Sequence, residues 1–303
     1  RGVGGITADI KEICQSRAMS VISPTPLVVF TCTYYPSASD LRYTQFLETL
    51  QAAKKCVLPI VVVDGSPDDV HAKLKGSYDG RDGAVIVRQT YQGGKGDALR
   101  EAAGVAAAGG QGAFEVGSET LLCWQEAEKT DQISHWRKVL DALTAADDIA
   151  VPRRTQTCFM DSYPIEQYYS ETYGNLYLDT VMKDAIQEGS DNDAMKLPVA
   201  NSPTPRGVSL IDWHFGPFAF RARHIKLWST YKGNSYDMQL IPIVHAIRRG
   251  LRVVSVDVDF VLDERMREQE ENNVDFIEKR LNQLNNLDPK VKASWTNALY
   301  SIE

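Results

Sequence analysis

The feature that most constrains this chain is an alternation of short apolar, β-branched runs with segments of helical spacing. The runs are "PLVVFTCTYYP" from Pro26, "LPIVVVDGSPDD" from Leu58, "GAVIVRQT" from Gly83, "ETLLCWQEAEKTD" from Glu119 and "DIAVPRR" from Asp148. Apolar runs of that length, bounded by turn residues, read as buried strands. Between them, Leu41, Phe46, Leu47 and Leu50 recur at helical spacing over 38–55, and 96–108 and "QISHWRKVLDAL" also read as helices. Strand and helix alternating at short intervals predict an α/β fold with a mostly parallel central sheet and helices on both faces. In such sheets ligands sit outside the carboxyl ends of the strands. The segments Thr31–Tyr35, Asp64–Asp69, Tyr91–Asp97 and Trp124–Asp131 all fall there.

The second half is less regular. A long helix is expected from Pro164 through Met182 or beyond, then a polar loop, "EGSDNDAMKLPVANSPTPRG", read as a mobile segment or lid. "SLIDWHFGPFAF", a helix in "SYDMQLIPIVHAIRRG", the strand "LRVVSVDVDFV" and a charged helical segment complete the chain. The expected division is an N-terminal arm, 1–26, one catalytic domain, 27–265, and a C-terminal helical extension, 266–303.

A net charge of −7 argues against a nucleic-acid binder, which needs a basic field. The five cysteines are scattered, odd in number and without a CxxC pair, which reads as a reducing compartment. No apolar run approaches the roughly 20 residues of a membrane span, and no secretory h-region is visible. The expectation is a cytoplasmic protein, with an upstream targeting segment left open because the sequence begins without Met.

Three motifs carry chemistry. Asp64-Gly65-Ser66 ends a buried strand, where Asp64 could accept hydrogen bonds from a nucleoside or simply form a turn or helix cap. In "QTYQGGKGDALREAA", the glycine turn, the helix start and Lys95 could face a pyrophosphate. Its spacing is neither that of a P-loop nor of a GxGxxG fingerprint, and Asp97 also suits a helix dipole. In "CWQEAEKTD", Glu126 and Glu128 are two residues apart, so on an extended strand they would share a face. Two such carboxylates could hold a hard divalent cation, or form a solvated acidic turn.

The order "VVVDGS", "GGKGDAL", "CWQEAEK" resembles GT-A-fold glycosyltransferases of the family-2 type, more narrowly the mannosylglycerate-synthase type. Trp124 and Lys129 flank the acidic pair as in a Trp-x-Glu-Pro-Glu-Lys-like motif of similar proteins. The resemblance implies a GT-A, Rossmann-like fold with a nucleotide-sugar half, 27–131, and an acceptor half, 148–265. It implies a nucleotide-diphospho-sugar donor, a small-molecule or glycan acceptor hydroxyl, and Mg²⁺ or Mn²⁺. Thr31, Asp64, Gly94, Lys95, Asp97 and Glu126 would bind the donor. Glu126 and Glu128 stand where the family has D-x-D, so Glu replaces Asp at both positions of the metal motif. The family's third ligand, typically His, has no counterpart in "DVDFVLDERMRE", where Asp263 or Glu264 could substitute or simply begin a charged helix.

Asp237 falls where that family carries an acidic residue that orients or deprotonates the acceptor, and it equally suits a helix start. Arg153, Gln167, Glu171 and His214 are candidate acceptor contacts. His214 also reads as a packed histidine, and Tyr163, Tyr168, Tyr169 and Tyr173 as either sugar-stacking or packing rings. Two rivals remain. A nucleotidyltransferase would want a glycine-rich basic loop after the first strand, where this chain has "TCTYYPSASD". A non-catalytic nucleotide-binding member is the other.

Overall fold

The structure is a computed structural model that describes residues 26–91, 93–188 and 195–296. The N-terminal arm up to residue 25, positions 189–194 of the polar loop and the last residues of the C-terminal extension lie outside the described residues.

The first half alternates as expected. β1 (Leu27–Thr33), β2 (Ile60–Asp64), β3 (Ala84–Arg88) and β4 (Leu121–Trp124) are separated by α1 (Leu41–Lys55), α2 (Asp68–Tyr78) and α3 (Lys95–Ala107). Next come α4 (Gln132–Ala142), β5 (Ile149–Arg154), α5 (Gln156–Ser162) and α6 (Ile165–Glu188). The remainder is β6 (Val199–Ala200), β7 (Phe218–Arg221), α7 (Ile225–Thr230), α8 (Asp237–Arg248), β8 (Val253–Val258), α9 (Glu264–Glu270) and α10 (Val274–Thr296).

Local chemistry sets several boundaries. α1 starts at Leu41, not at residue 38, because Asp40 caps it by accepting from the Arg42 amide at 2.9 Å. Pro164 disfavours helical backbone at Tyr163, which separates α5 from α6.

The eight strands form one sheet in the order β3-β2-β1-β4-β7-β5-β8-β6. Pairing is parallel except at β7, which runs antiparallel to both β4 and β5. Each strand except β6 alternates its side chains between two cores. Val28 and Phe30 of β1 join Val61, Val63 and Leu99 on one face, whereas Leu27 and Val29 join Ile60, Val62, Phe46 and Trp136 on the other. The short, non-β-branched β7 is held by aromatic stacking, with Trp228 lying 3.9 Å from the Phe220 ring at 10°. Leu287, Val291 and Trp295 of α10 join the first of these cores.

The topology places the site. From β1 the chain steps outward to β2 and β3, then returns across β1 to β4 on its other side. That reversal opens a crevice at the carboxyl ends of β1 and β4, the position where open α/β sheets bind ligands.

Candidate functional site

A cavity of about 880 Å³ occupies this crevice. Its walls include Cys32, Thr33 and Tyr34 at the end of β1, Gly65 and Ser66 after β2, Gly94 and Lys95 at the start of α3, and Trp124 at the end of β4 with residues 126–129 after it. Gln167 of α6 and His214 before β7 approach from the second half of the chain, and Tyr236 and Gln239 from the start of α8.

Glu126 is the hub. β4 ends at Trp124, so Glu126 and Glu128 lie on a turn and not on the extended strand that the sequence pattern predicted. Lys95 donates to Glu126 Oε1 at 2.6 Å, Gln239 Nε2 donates to the same oxygen at 3.3 Å, and the Lys129 ammonium stands 3.1 Å from Oε2. Lys129 also donates to the Phe215 carbonyl at 2.7 Å. Gly216, at φ +100°, lets the backbone pass beside the carboxylate, since a Cβ there would stand 3.0 Å from Glu126 Cδ. Burial pushes the Glu126 carboxyl up, but Lys95 and Lys129 outweigh it and hold it far below the usual carboxylate range. Glu128 goes the other way, raised by burial and then by the charge of Glu126. Burial, and then the charge of Glu128, push the Tyr35 hydroxyl well above its ordinary value.

The glycine stretch has a packing role besides its helix start. The Gly96 amide donates to the Asn234 carbonyl at 3.1 Å, and a Cβ on Gly96 would lie 2.5 Å from the Gly233 carbonyl oxygen. The loop at 233–234 therefore seats on the start of α3. The Lys95 side chain reaches the cavity, its ammonium 4.4 Å from the centre of the Tyr236 ring. Burial pushes the Cys32 thiol up to about 12, so it offers no thiolate at the cavity wall.

No protein-family profile matches the chain, and no curated protein matches it in sequence. Solved structures match it in fold. Glucosyl-3-phosphoglycerate synthase from Mycobacterium tuberculosis, in complex with Mn²⁺, UDP and glucosyl-3-phosphoglycerate, superimposes with a TM-score of 0.52 at 11% identity, over 88% of this chain and 80% of that one. The same enzyme with Mn²⁺, UDP and phosphoglyceric acid gives 0.51 at 11% identity, over 91% and 80%. A structure described as a mycobacterial protein gives 0.52 at 12% identity, over 97% and 80%. The fold is that of the GT-A glycosyltransferases.

Within this GT-A frame the donor-side candidates divide. Lys95, Gly94, Glu126 and Glu128 line the cavity. Asp64 is fully buried, accepting from Thr33 Oγ1 at 2.8 Å and Ser66 Oγ at 2.6 Å and facing His71 Nδ1 at 2.8 Å, so it shapes the turn whose Gly65 and Ser66 line the wall. Thr31 is buried within β1, one residue short of the lining. Asp97 pairs with Arg100, which donates to the carbonyls of Tyr231 and Gly233 and ties α3 to that loop.

The acceptor-side candidates divide as well. Gln167 and His214 line the cavity; Arg153 and Glu171 do not. Arg153 is buried against Asp257 at 2.6 Å, Thr204 Oγ1 at 2.9 Å and the Ser209 carbonyl at 3.2 Å. Glu171 pairs at 2.8 Å with Arg154, which also meets both oxygens of Asp212. His214 is oriented by Asn175, whose Oδ1 lies 2.8 Å from its Nδ1.

Asp237 is not brought to the main cavity. It accepts from the Tyr231 hydroxyl at 2.8 Å, Lys290 at 3.0 Å and the Ser235 amide at 3.1 Å. Burial raises its carboxyl, but Lys290 and Tyr231 lower it further, leaving a weak base. Asp263 caps α9, accepting from the Arg265 amide at 2.9 Å and pairing with that residue's guanidinium.

The acidic pair does not fit a chelating site for a divalent cation. Both oxygens of Glu126 face ammonium groups, and Asp263 is turned to Arg265. Among the described residues no three His, Cys, Asp or Glu side chains gather as metal ligands. Gln239 and Tyr236 complete the wall and were missed from sequence. Their signal was faint: both flank Asp237, at the start of a helix already suspected of facing the site.

Proposed function

We propose that this chain transfers a sugar from a nucleotide-diphospho-sugar to an acceptor hydroxyl. One observation carries the reading: the cavity lies at the chain reversal between β1 and β4, with Lys95 and Lys129 converging in its wall. A volume of about 880 Å³ suits a sugar nucleotide. The turn Gly65–Ser66, shaped by Asp64, borders the nucleoside end, and Lys95 with Gly94 faces the diphosphate. Gln167 and His214 face the acceptor side. In the reaction the bond between the anomeric carbon and the β-phosphate oxygen breaks, and its electron pair leaves with the nucleoside diphosphate. The acceptor oxygen forms the new bond, and its proton passes to the departing nucleoside diphosphate. The solved relatives in fold hold UDP and Mn²⁺; in this chain no step is assigned to a metal, because the carboxylate pair does not fit one.

The test is a donor screen with UDP-, GDP- and ADP-linked sugars, following release of nucleoside diphosphate. Release of free sugar and nucleoside diphosphate from at least one donor is expected, suppressed by Lys95→Ala. Pyrophosphate release from a nucleoside triphosphate would instead identify a nucleotidyltransferase.

A further inference from the structure

We propose that the donor's diphosphate is bound by an ammonium pair, Lys95 and Lys129, held on Glu126, and not through a divalent cation. The proposal rests on the nucleotide-sugar reading above and assigns the chemistry of its anionic subsite.

The first argument is occupancy. Glu126 is the first of the two carboxylates at the place a metal would be anchored, and its oxygens lie 2.6 Å from the Lys95 ammonium and 3.1 Å from that of Lys129. A divalent ion on those oxygens, at roughly 2.0–2.6 Å, would sit against two fixed positive charges. It would have to expel at least one of them first.

The second argument is donor capacity. An ammonium carries three N–H groups. Lys95 gives one to Glu126, while Lys129 faces Glu126 and gives one to the Phe215 carbonyl. Each therefore retains a donor for a phosphate oxygen. Their positions are built, not adventitious. Gln239 and Gly216 fix the carboxylate between them, and the Phe215 ring, 4.7 Å from the Lys129 ammonium, backs that group.

The third argument is local charge. The cavity wall carries five basic side chains (Arg42, Arg88, Lys95, Lys129 and Lys279) against three acidic ones (Glu126, Glu128 and Glu270). The chain as a whole carries −7. Arg42 and Arg88 are paired with Asp40 and Asp68 beside the wall, so it is the lysines that are left to attract a diphosphate without a bridging cation. Lysine clamps and Mg²⁺ do equivalent work on phosphoryl oxygens.

The experiment is calorimetric titration of the chain with UDP, GDP and ADP, once in EDTA and once in Mn²⁺. The expected result is that the preferred nucleotide binds with the same affinity, within about threefold, in both. Lys95→Met and Lys129→Met should each weaken binding in EDTA by about tenfold or more, the scale of a hydrogen bond to a charged group. Binding that appears in Mn²⁺ alone, or tightens tenfold there and loses that gain in Glu128→Gln, would overturn the ammonium pair while leaving the nucleotide-sugar reading intact. Binding of no nucleotide in either condition would overturn both. The EDTA comparison needs no variant, so a substitution that failed to fold would not blunt the test.

Discussion

Two clusters of charge stand near one edge of the sheet, and they are built to different ends. Around Glu126, the side chains of Lys95, Glu126 and Lys129 keep 30%, 21% and 15% of their surface exposed, and all three line a cavity. Around Arg154, the guanidinium is fully buried between Asp212 and Glu171, each 3% exposed, and under the Phe159 ring at 3.5 Å. Asn175 donates to Asp212 at 2.7 Å and closes that network. The first cluster has donors to offer a ligand, whereas the second directs its charges at one another. Charge at a strand end is therefore a poor guide to function until its partners are known.

The contrast is broken most directly by Arg154→Met. Removing the cation strands two carboxylates in the interior, a loss that costs about 3–5 kcal/mol when one partner of a buried pair is deleted. Urea unfolding should register it as a fall in midpoint at constant slope. A loss below about 1 kcal/mol would mean that the second cluster is not structural, and would return Glu171 to the acceptor candidates.

Legibility from sequence follows the same division. β1 and β2 were readable because uninterrupted apolar runs such as "IVVV" have few other places to go. Lys95 was readable because Gly94 and Gly96 mark a backbone that must turn and pack closely before a helix. Pairings were not readable. Asp257 lies 104 residues from Arg153, and nothing in "VPRRT" reveals that this arginine already has a carboxylate. Gln239 lies 113 residues from Glu126 and sits in a mostly apolar helix, where an amide carries no mark of its partner. The antiparallel β7 was hidden for a related reason: "FAFR" shows burial but not direction. Sequence thus displayed which residues could do chemistry, and the tertiary contacts decided which remained available for it.

A second variant sharpens the comparison within the first cluster. Gly96→Ala would put a Cβ 2.5 Å from the Gly233 carbonyl oxygen and 2.6 Å from Asn234 Cα, both backbone atoms with little freedom to move. A cost of about 1–3 kcal/mol is expected from overpacking. Because the same contact seats Lys95, nucleotide affinity should fall with it. Gly104→Ala is the control on the exposed face of the same helix. Nothing lies within 4 Å of its Cβ, and it should stabilise by roughly 0.5–1 kcal/mol. If Gly96→Ala binds nucleotide normally, the position of Lys95 does not depend on the 233–234 loop.

The smallest effect discriminates by sign. Burial and Glu126 raise the Glu128 carboxyl above its ordinary 4.5, so the folded state holds that proton more tightly than the unfolded chain. Stability from this group is present below about pH 4.5 and is lost as pH rises through the raised value. Asp212 behaves oppositely. Burial raises it, but Arg154 more than compensates, so its contribution is present above its ordinary 3.8 and lost as pH falls through the lowered value. Glu128→Gln should therefore stabilise the protein at pH 7, by less than about 1 kcal/mol for a partly exposed charge. The gain should vanish near pH 4, where Glu128 is protonated in both states. Urea midpoints of the two proteins at the two pH values make the measurement. Destabilisation at pH 7 would mean that Arg42 holds Glu128 as a paired carboxylate, and the cavity cluster would then share the self-contained pairing of the one around Arg154.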